Sequence, residues 1–129
     1  MQQTTAEHPN ATLVRRGMEA FNRGEMEAMD AFIADDVVWH QIGRETVRGK
    51  DALASASPGG DVDWQITADV HDVVANDDHA IALVEATATR PDGRTLTYRT
   101  AEIMHIRDGK LTERWAFAED TQKIIDFFA

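Results

Sequence analysis

Two stretches of the sequence carry side chains suited to acid/base chemistry. In the run Thr95–Ile106, strand alternation sets Tyr98, Thr100, Glu102 and Met104 on one face and Arg99, Ala101, Ile103 and His105 on the other. A carboxylic acid among apolar neighbours holds its proton more tightly and can exchange it with a carbon-bound substrate. The plain alternative for Glu102 is a solvated carboxylate, or one paired with an arginine such as Arg114. In the preceding run, Leu83, Glu85, Thr87 and Thr89 oppose Ala82, Val84, Ala86 and Ala88. Composition alone would bury the alanines and Val84 and leave Glu85 and Glu102 in water. If Glu85 and Glu102 instead shared a dry side, they would share a proton and divide acid from base. The second stretch is Trp39-His40-Gln41, where an imidazole titrating near neutrality suits a general base. Trp39 and Gln41 share a face that excludes His40, and the reading adopted turns Trp39 and Gln41 inward. His71 and His105 read as surface or interface residues. The five histidines show no metal-ligand spacing, and no glycine-rich phosphate loop follows a strand, so neither metal nor cofactor is expected.

These groups need a scaffold. The 129 residues include 23 acidic and 13 basic side chains, a net charge of −10, and 43% are hydrophobic. That length suits one domain with a real core. No run approaches the ~20 apolar residues of a membrane helix, and no basic stripe offsets the acidic field, so membrane and nucleic-acid partners are not expected. Absence of cysteine excludes disulfides, thiolate metal sites and a cysteine nucleophile. The polar start Met1-Gln2-Gln3-Thr4-Thr5 lacks the apolar core of a signal peptide, which makes the cytoplasm the expected location.

Residues 1–9 read as a flexible arm. Asn10 or Thr12 can cap a first helix with an apolar stripe of Val14, Gly17, Met18 and Phe21, stopped at Asn22-Arg23-Gly24. A second helix follows with Met26, Met29, Phe32 and Ile33 on its buried side. Val37 to Ile42 reads as a short strand, and Lys50 to Ser55 as a brief third helix closed by Ser57-Pro58-Gly59-Gly60. Four runs follow, Trp64–Val74, His79–Thr89, Thr95–Ile106 and Lys110–Ala118, separated by turn signals at Asn76-Asp77-Asp78, Pro91-Asp92-Gly93 and Asp108-Gly109. This order predicts an α+β architecture with helices on one face of an antiparallel meander.

Several segments together carry a resemblance: Ala20-Phe21-Asn22-Arg23-Gly24 with Met26-Glu27-Ala28, Phe32 through His40 with Gly49 beyond, and Asp108-Gly109-Lys110-Leu111-Thr112-Glu113-Arg114-Trp115. Over nearly its whole length the chain resembles SnoaL-like polyketide cyclases and ketosteroid isomerases of the nuclear transport factor two-like superfamily. The resemblance implies a cone: three N-terminal helices packed on a curved, mostly antiparallel mixed sheet, an apolar pocket inside, and a homodimer through the outer sheet face. The isomerase's helix tyrosine falls at Gly17 and its proton-shuttling aspartate at Gln41, so both are lost, while its second acid falls at Glu102. The Asp-Arg-Asp arrangement of limonene epoxide hydrolases finds no match through Arg99, which lies on the opposite strand face from Glu102.

If the resemblance fixes the strand phase, the side bearing Glu85, Thr87, Thr100 and Glu102 lines the cavity and the Ala/Val side meets a partner subunit. Glu102, Gln41 and His40 are then the catalytic candidates. Tyr98 and Thr100 are donors, Arg114 and Glu85 are polar contacts, and Trp39 is a wall together with Trp115 and Phe117, whose first reading is as core or dimer contacts. Asp120 follows the strand end, where epoxide-opening relatives place an acid near the cavity mouth, or else simply starts the tail turn, and the apolar tail Lys123–Phe128 is expected to dock and close the cone or cover a partner. The function implied is a cofactor-free acid/base enzyme (isomerase, cyclase, dehydratase or hydrolase) acting on a small, largely apolar molecule. The alternative is a non-catalytic binding or dimerisation module of the same fold.

Overall fold

The computed structural model describes residues 7–56 and 65–129; the breaker cluster at 57–60 and Trp64 lie outside that range. The expected arm is tied down at its end. His8 caps helix α1 (Pro9–Arg23), its Nδ1 accepting from the Asn10 backbone N–H at 3.1 Å, while Glu7 accepts from Arg15 Nε at 2.6 Å. Proline suits the first helical turn because its fixed φ is already helical and its missing N–H would lack a partner there. Gly24 ends the helix in the left-handed conformation, φ 69°, with its N–H turned back to the Ala20 and Phe21 carbonyls. The buried stripe is Ala11, Val14 and Ala20, with Met18 packed beside it. Helix α2 (Met26–Phe32) ends one residue early for the predicted stripe: Ile33 already belongs to a strand, and Met26 is 66% exposed.

The sheet has six strands in the order β2-β1-β6-β5-β4-β3. Strand β1 (Ile33–His40) begins four residues before the expected Val37 and pairs with β2 (Thr46–Arg48), a short strand that the sequence pattern does not announce. Helix α3 (Lys50–Ala56) leads on to β3 (Gln65–Ala75), β4 (His79–Thr89), β5 (Thr95–Arg107) and β6 (Lys110–Ala118). These four form the predicted antiparallel meander, and β6 then lies parallel to β1, which makes the sheet mixed. Helix α1 packs over β3 and β4, and α3 beside β1 and β2. The fold is therefore α+β, helices against a curved, mostly antiparallel sheet. Its core runs from Ala11 and Val14 through Val37, Ala82, Val84 and Ala86 to Met104, Ile106 and Leu111. No described helix is long and apolar enough to cross a membrane.

The tail docks as helix α4 (Thr121–Phe128), capped by Asp120, whose side chain accepts from the Lys123 N–H. Ile124 is buried, Ile125 rests on the glycine face of Gly43, Arg90 donates to the Phe127 carbonyl, and the Phe128 ring meets Tyr98 edge-on at 6.4 Å. The tail thus covers one end of β5.

Strand β3 is an edge, and an edge strand exposes unpaired backbone groups. Asn22 satisfies one such pair: its Nδ2 donates to the Ala68 carbonyl at 2.6 Å and its Oδ1 accepts from the Ala68 N–H at 2.8 Å. Replacing Asn22 with Ala strips both bonds at once. We expect a loss of about 1–3 kcal/mol, read in urea as a lower midpoint at unchanged slope; an unaltered midpoint would show that water replaces the clamp without cost.

Candidate functional site

Register decides which groups meet. Across β4 and β5, Ala82 lies opposite Glu102, Val84 opposite Thr100 and Ala86 opposite Tyr98. Ala82, Val84 and Ala86 are buried against α1, so the Ala/Val side is the concave face and not a subunit contact. Glu102, Thr100 and Tyr98 share that face. Glu85 and Thr87 do not: Glu85 lies opposite Arg99 on the outer face, its Oε2 3.5 Å from the Arg99 Nε, and Thr87 meets Thr97. A Glu85/Glu102 dyad is thereby ruled out. The composition-based phase holds for β4 and the resemblance-based phase for β5.

In β6 a register shift near Thr112 sets the phase of the rest of the strand. Arg114 comes to lie opposite Met104 on the concave side, whereas Glu113, Trp115 and Phe117 lie opposite His105, Ile103 and Ala101 on the outer side. Trp115 and Phe117 are therefore outer-face residues rather than pocket walls, and Phe117 is 63% exposed. Trp39, level with Arg114 in β1, faces inward, and the guanidinium sits 4.5 Å from its ring.

The concave face centres on an ion pair. Arg114 donates to Glu102 Oε1 from Nε at 3.0 Å and from Nη2 at 2.9 Å, and its Nη1 reaches the His40 carbonyl at 3.1 Å. Thr100 donates to Glu102 Oε2 at 3.0 Å. The side chains are only 9% and 14% exposed for Arg114 and Glu102. The lone carboxylic acid in an apolar pocket is thus replaced by a carboxylate matched to a fixed cation. Tyr98 stands next to it; burial pushes its hydroxyl above the ordinary phenol range, the Glu102 charge adds to this, and Arg114 offsets part of it. Gln41, past the end of β1, donates to the Glu45 carbonyl at 2.9 Å and closes the β1–β2 loop instead of reaching Glu102.

The His40 ring points the other way. Its Nε2 lies 2.7 Å from Glu113 Oε2 and its Nδ1 2.9 Å from Thr46 Oγ1. His105 Nδ1 lies 3.3 Å from the second Glu113 oxygen, and the His79 and His105 rings meet at 4.6 Å. The hydrogen bond from His40, helped by the charges of His40, His105 and Arg48, holds the Glu113 carboxyl below its usual range against the effect of burial. Glu113 and Thr46 escape sequence reasoning because only the parallel β1–β6 pairing and the unpredicted β2 bring them to His40. Two surface concavities, about 430 Å³ beside the start of α3 and about 240 Å³ between α1 and β3, are lined by neither Glu102 nor Arg114.

A family model for the SnoaL-like domain matches residues 14–114. The chain belongs to that family. Among curated proteins, this SnoaL-like chain is 28% identical over 129 residues to uncharacterized proteins of Mycobacterium bovis and Mycobacterium tuberculosis, covering 91% of itself and 94% of each relative. Bal32a, from a soil-derived mobile gene cassette, superposes with a TM-score of 0.80 at 24% identity over 93% of this chain and 96% of its own. A candidate polyketide cyclase from Xanthomonas campestris pv. campestris gives 0.75 at 27% identity over 93% and 97%. In the SnoaL-like chain Gly17, the α1 position at which the resemblance leads us to expect the isomerase's tyrosine, is closed sterically. A Cβ at Gly17 would come within 3.0 Å of the Phe32 ring, which fills that space.

Tyr98 is the sole tyrosine, so phenolate absorbance reports it directly. Its midpoint should lie above the ordinary value of about 10, and Glu102→Gln should lower it by removing one of the two causes while burial remains. Because this group's folded pKa is raised, its contribution to stability is complete below the unfolded value and is lost as pH rises through the folded one. A midpoint at or below the free-phenol value would place the hydroxyl in water.

Proposed function

We propose that this SnoaL-like domain, with its 129 residues as one unit, is a cofactor-free acid/base enzyme of isomerase or cyclase type in the cytoplasm. Its substrate is a small, largely apolar molecule bearing a carbonyl. The observation that carries the reading is the Glu102–Arg114 pair beside Tyr98 on an otherwise apolar concave face. A carboxylate held in place can take a proton from the carbon next to a carbonyl. The oxygen then gains negative charge, and two kinds of donor are at hand: the Tyr98 hydroxyl and the N–H groups of Arg114 beyond the three engaged in the contacts above. Returning the proton to a different carbon isomerises the substrate, and attack of the carbanion on a second carbonyl cyclises it. Thr100 and the His40 carbonyl hold Glu102 and Arg114 in register. Trp39, partly buried beside Arg114, favours an apolar body for the ligand.

The second reading, a binding module, is favoured by the way Glu102 and Arg114 satisfy one another. Deuterium uptake separates the two. We incubate the protein in deuterium oxide with a panel of aryl-fused cyclic ketones such as 2-tetralone and follow the α-protons by NMR. Parent protein should accelerate exchange, and Glu102→Gln should lower that rate by about 10²-fold or more. Ketones that bind the parent and exchange no faster than in buffer would sink the enzyme reading in favour of the module.

The outer face supports a homodimer. Val74, Leu83 and Phe117 are 55%, 41% and 63% exposed on one side of the sheet, and apolar groups collected on one surface favour a second protein surface over water. Sedimentation should give a dimer for the parent and a monomer for Phe117→Asp; a monomeric parent at micromolar concentration would remove the proposal.

A further inference from the structure

Thr46, His40 and Glu113 form a hydrogen-bonded row on the outer face, outside the concave site. Thr46 Oγ1 lies 2.9 Å from His40 Nδ1, and His40 Nε2 lies 2.7 Å from Glu113 Oε2. Three strands contribute: β2 the hydroxyl, β1 the imidazole and β6 the carboxylate. The chemistry of the row fixes its protons. A carboxylate can only accept, so the hydrogen on the His40–Glu113 bond belongs to Nε2. The neutral ring then carries its lone pair on Nδ1, which faces the Thr46 hydroxyl. The second Glu113 oxygen is engaged by His105, whose ring meets that of His79 edge-on, so the carboxylate is held from both sides. A hydroxyl, a base within reach of it and a third group orienting the base are the elements of an activated nucleophile.

We propose a second, hydrolytic centre on this face, with Thr46 as nucleophile, His40 as general base and Glu113 as its positioning residue, acting on small activated esters. Thr46 Oγ attacks the ester carbonyl carbon as its proton passes to His40 Nδ1. The tetrahedral intermediate collapses, the carbon–oxygen bond to the leaving alcohol breaks, and that oxygen takes the proton from His40. Water, activated by the same nitrogen, then attacks the acyl-threonine and releases the acid, restoring Thr46. Arg48 follows Thr46 by two residues, hence on the same strand face, and a guanidinium on that face is the kind of donor the developing oxyanion requires. Trp115, its ring 6.2 Å from that of His40, offers an apolar platform for the ester. Thr46 and Arg48 are exposed on the edge strand β2, at the opposite margin of the sheet from Val74 on β3.

The probe is p-nitrophenyl acetate with the full chain. Parent protein should release nitrophenolate with an acid-trappable acetyl adduct on the peptide containing Thr46. Thr46→Val keeps the β-branched shape and should cut hydrolysis by about 10²-fold or more and abolish the adduct, whereas Thr46→Ser should retain both. His40→Gln should fall as far as Thr46→Val. Glu113→Gln should lower kcat with KM unchanged, and Glu113→Asp, which keeps a carboxylate for His40 Nε2, should recover part of the loss; a merely structural loss would not be rescued by the shorter acid. Hydrolysis undiminished in Thr46→Val, or an adduct confined to a histidine or lysine, would overturn the proposal.

Discussion

A guanidinium cannot shed its charge inside a protein, and Arg114 is 8% exposed, so everything around it has to answer that charge. Glu102 supplies the counter-charge, the His40 carbonyl a third acceptor and the Trp39 ring a polarisable floor. These partners come from β5 and β1, on either side of β6, and together they fix how the three strands lie against one another. Removing one member of such a pair leaves a buried unpaired charge, a cost of about 3–5 kcal/mol, yet replacing both with apolar groups is often neutral or stabilising. Stability alone therefore gives no reason for a carboxylate and a guanidinium amid Ala82, Met104 and Val37. On the acid/base reading proposed above, chemistry at the concave face does.

The strands were legible because their ends are marked by turn residues, and β4 and β6 begin and end where the sequence places them. The phase between strands was harder, though part of it was within reach. The turn around Pro91-Asp92-Gly93 sets Thr89 opposite Thr95, and counting outward from that pair brings Ala82, not Glu85, to Glu102. Family likeness and composition each kept Glu85 and Glu102 on one side of the sheet, a relation that the hairpin register excludes. The register shift in β6 had no comparable signal. It depends on how β6 fits β1 on its far side, a contact between segments far apart in the chain. For the same reason β2, three residues long, became visible only once β1 was there to pair with it.

A glycine in a packed helix leaves space that a neighbouring side chain fills. At Gly17, where the resemblance leads us to expect the position of the isomerases' tyrosine, the Phe32 ring packs against the bare backbone. The one hydroxyl of the aromatic residues, Tyr98, stands on β5, its ring edge-on to Phe128 of α4. The segment Ala20-Phe21-Asn22-Arg23-Gly24, which carries much of the resemblance, has structural duties: Ala20 is core, Gly24 reverses the chain and Asn22 pairs the free edge of β3. Its residues identify the scaffold and say little about what the scaffold binds, which is why a fold can be read firmly from a sequence whose chemistry is not.

Neighbours in a strand point to opposite faces, and at the β1–β6 junction that alternation separates two chemistries by one residue. Glu113 serves the outer face and Arg114 the concave one. His40 serves both, its ring bonding Glu113 and Thr46 outside and its backbone carbonyl accepting from Arg114 inside. Only the ring depends on residue type. A substitution at His40 that preserves the strand therefore changes the outer row and leaves the inner acceptor in place, whereas a shift of β1 against β6 by one residue would exchange the faces and destroy both. The parallel pairing, worth less per residue than its antiparallel neighbours, is in this way the joint on which the two sites depend. Glu113 reinforces it from one face and Arg114 from the other.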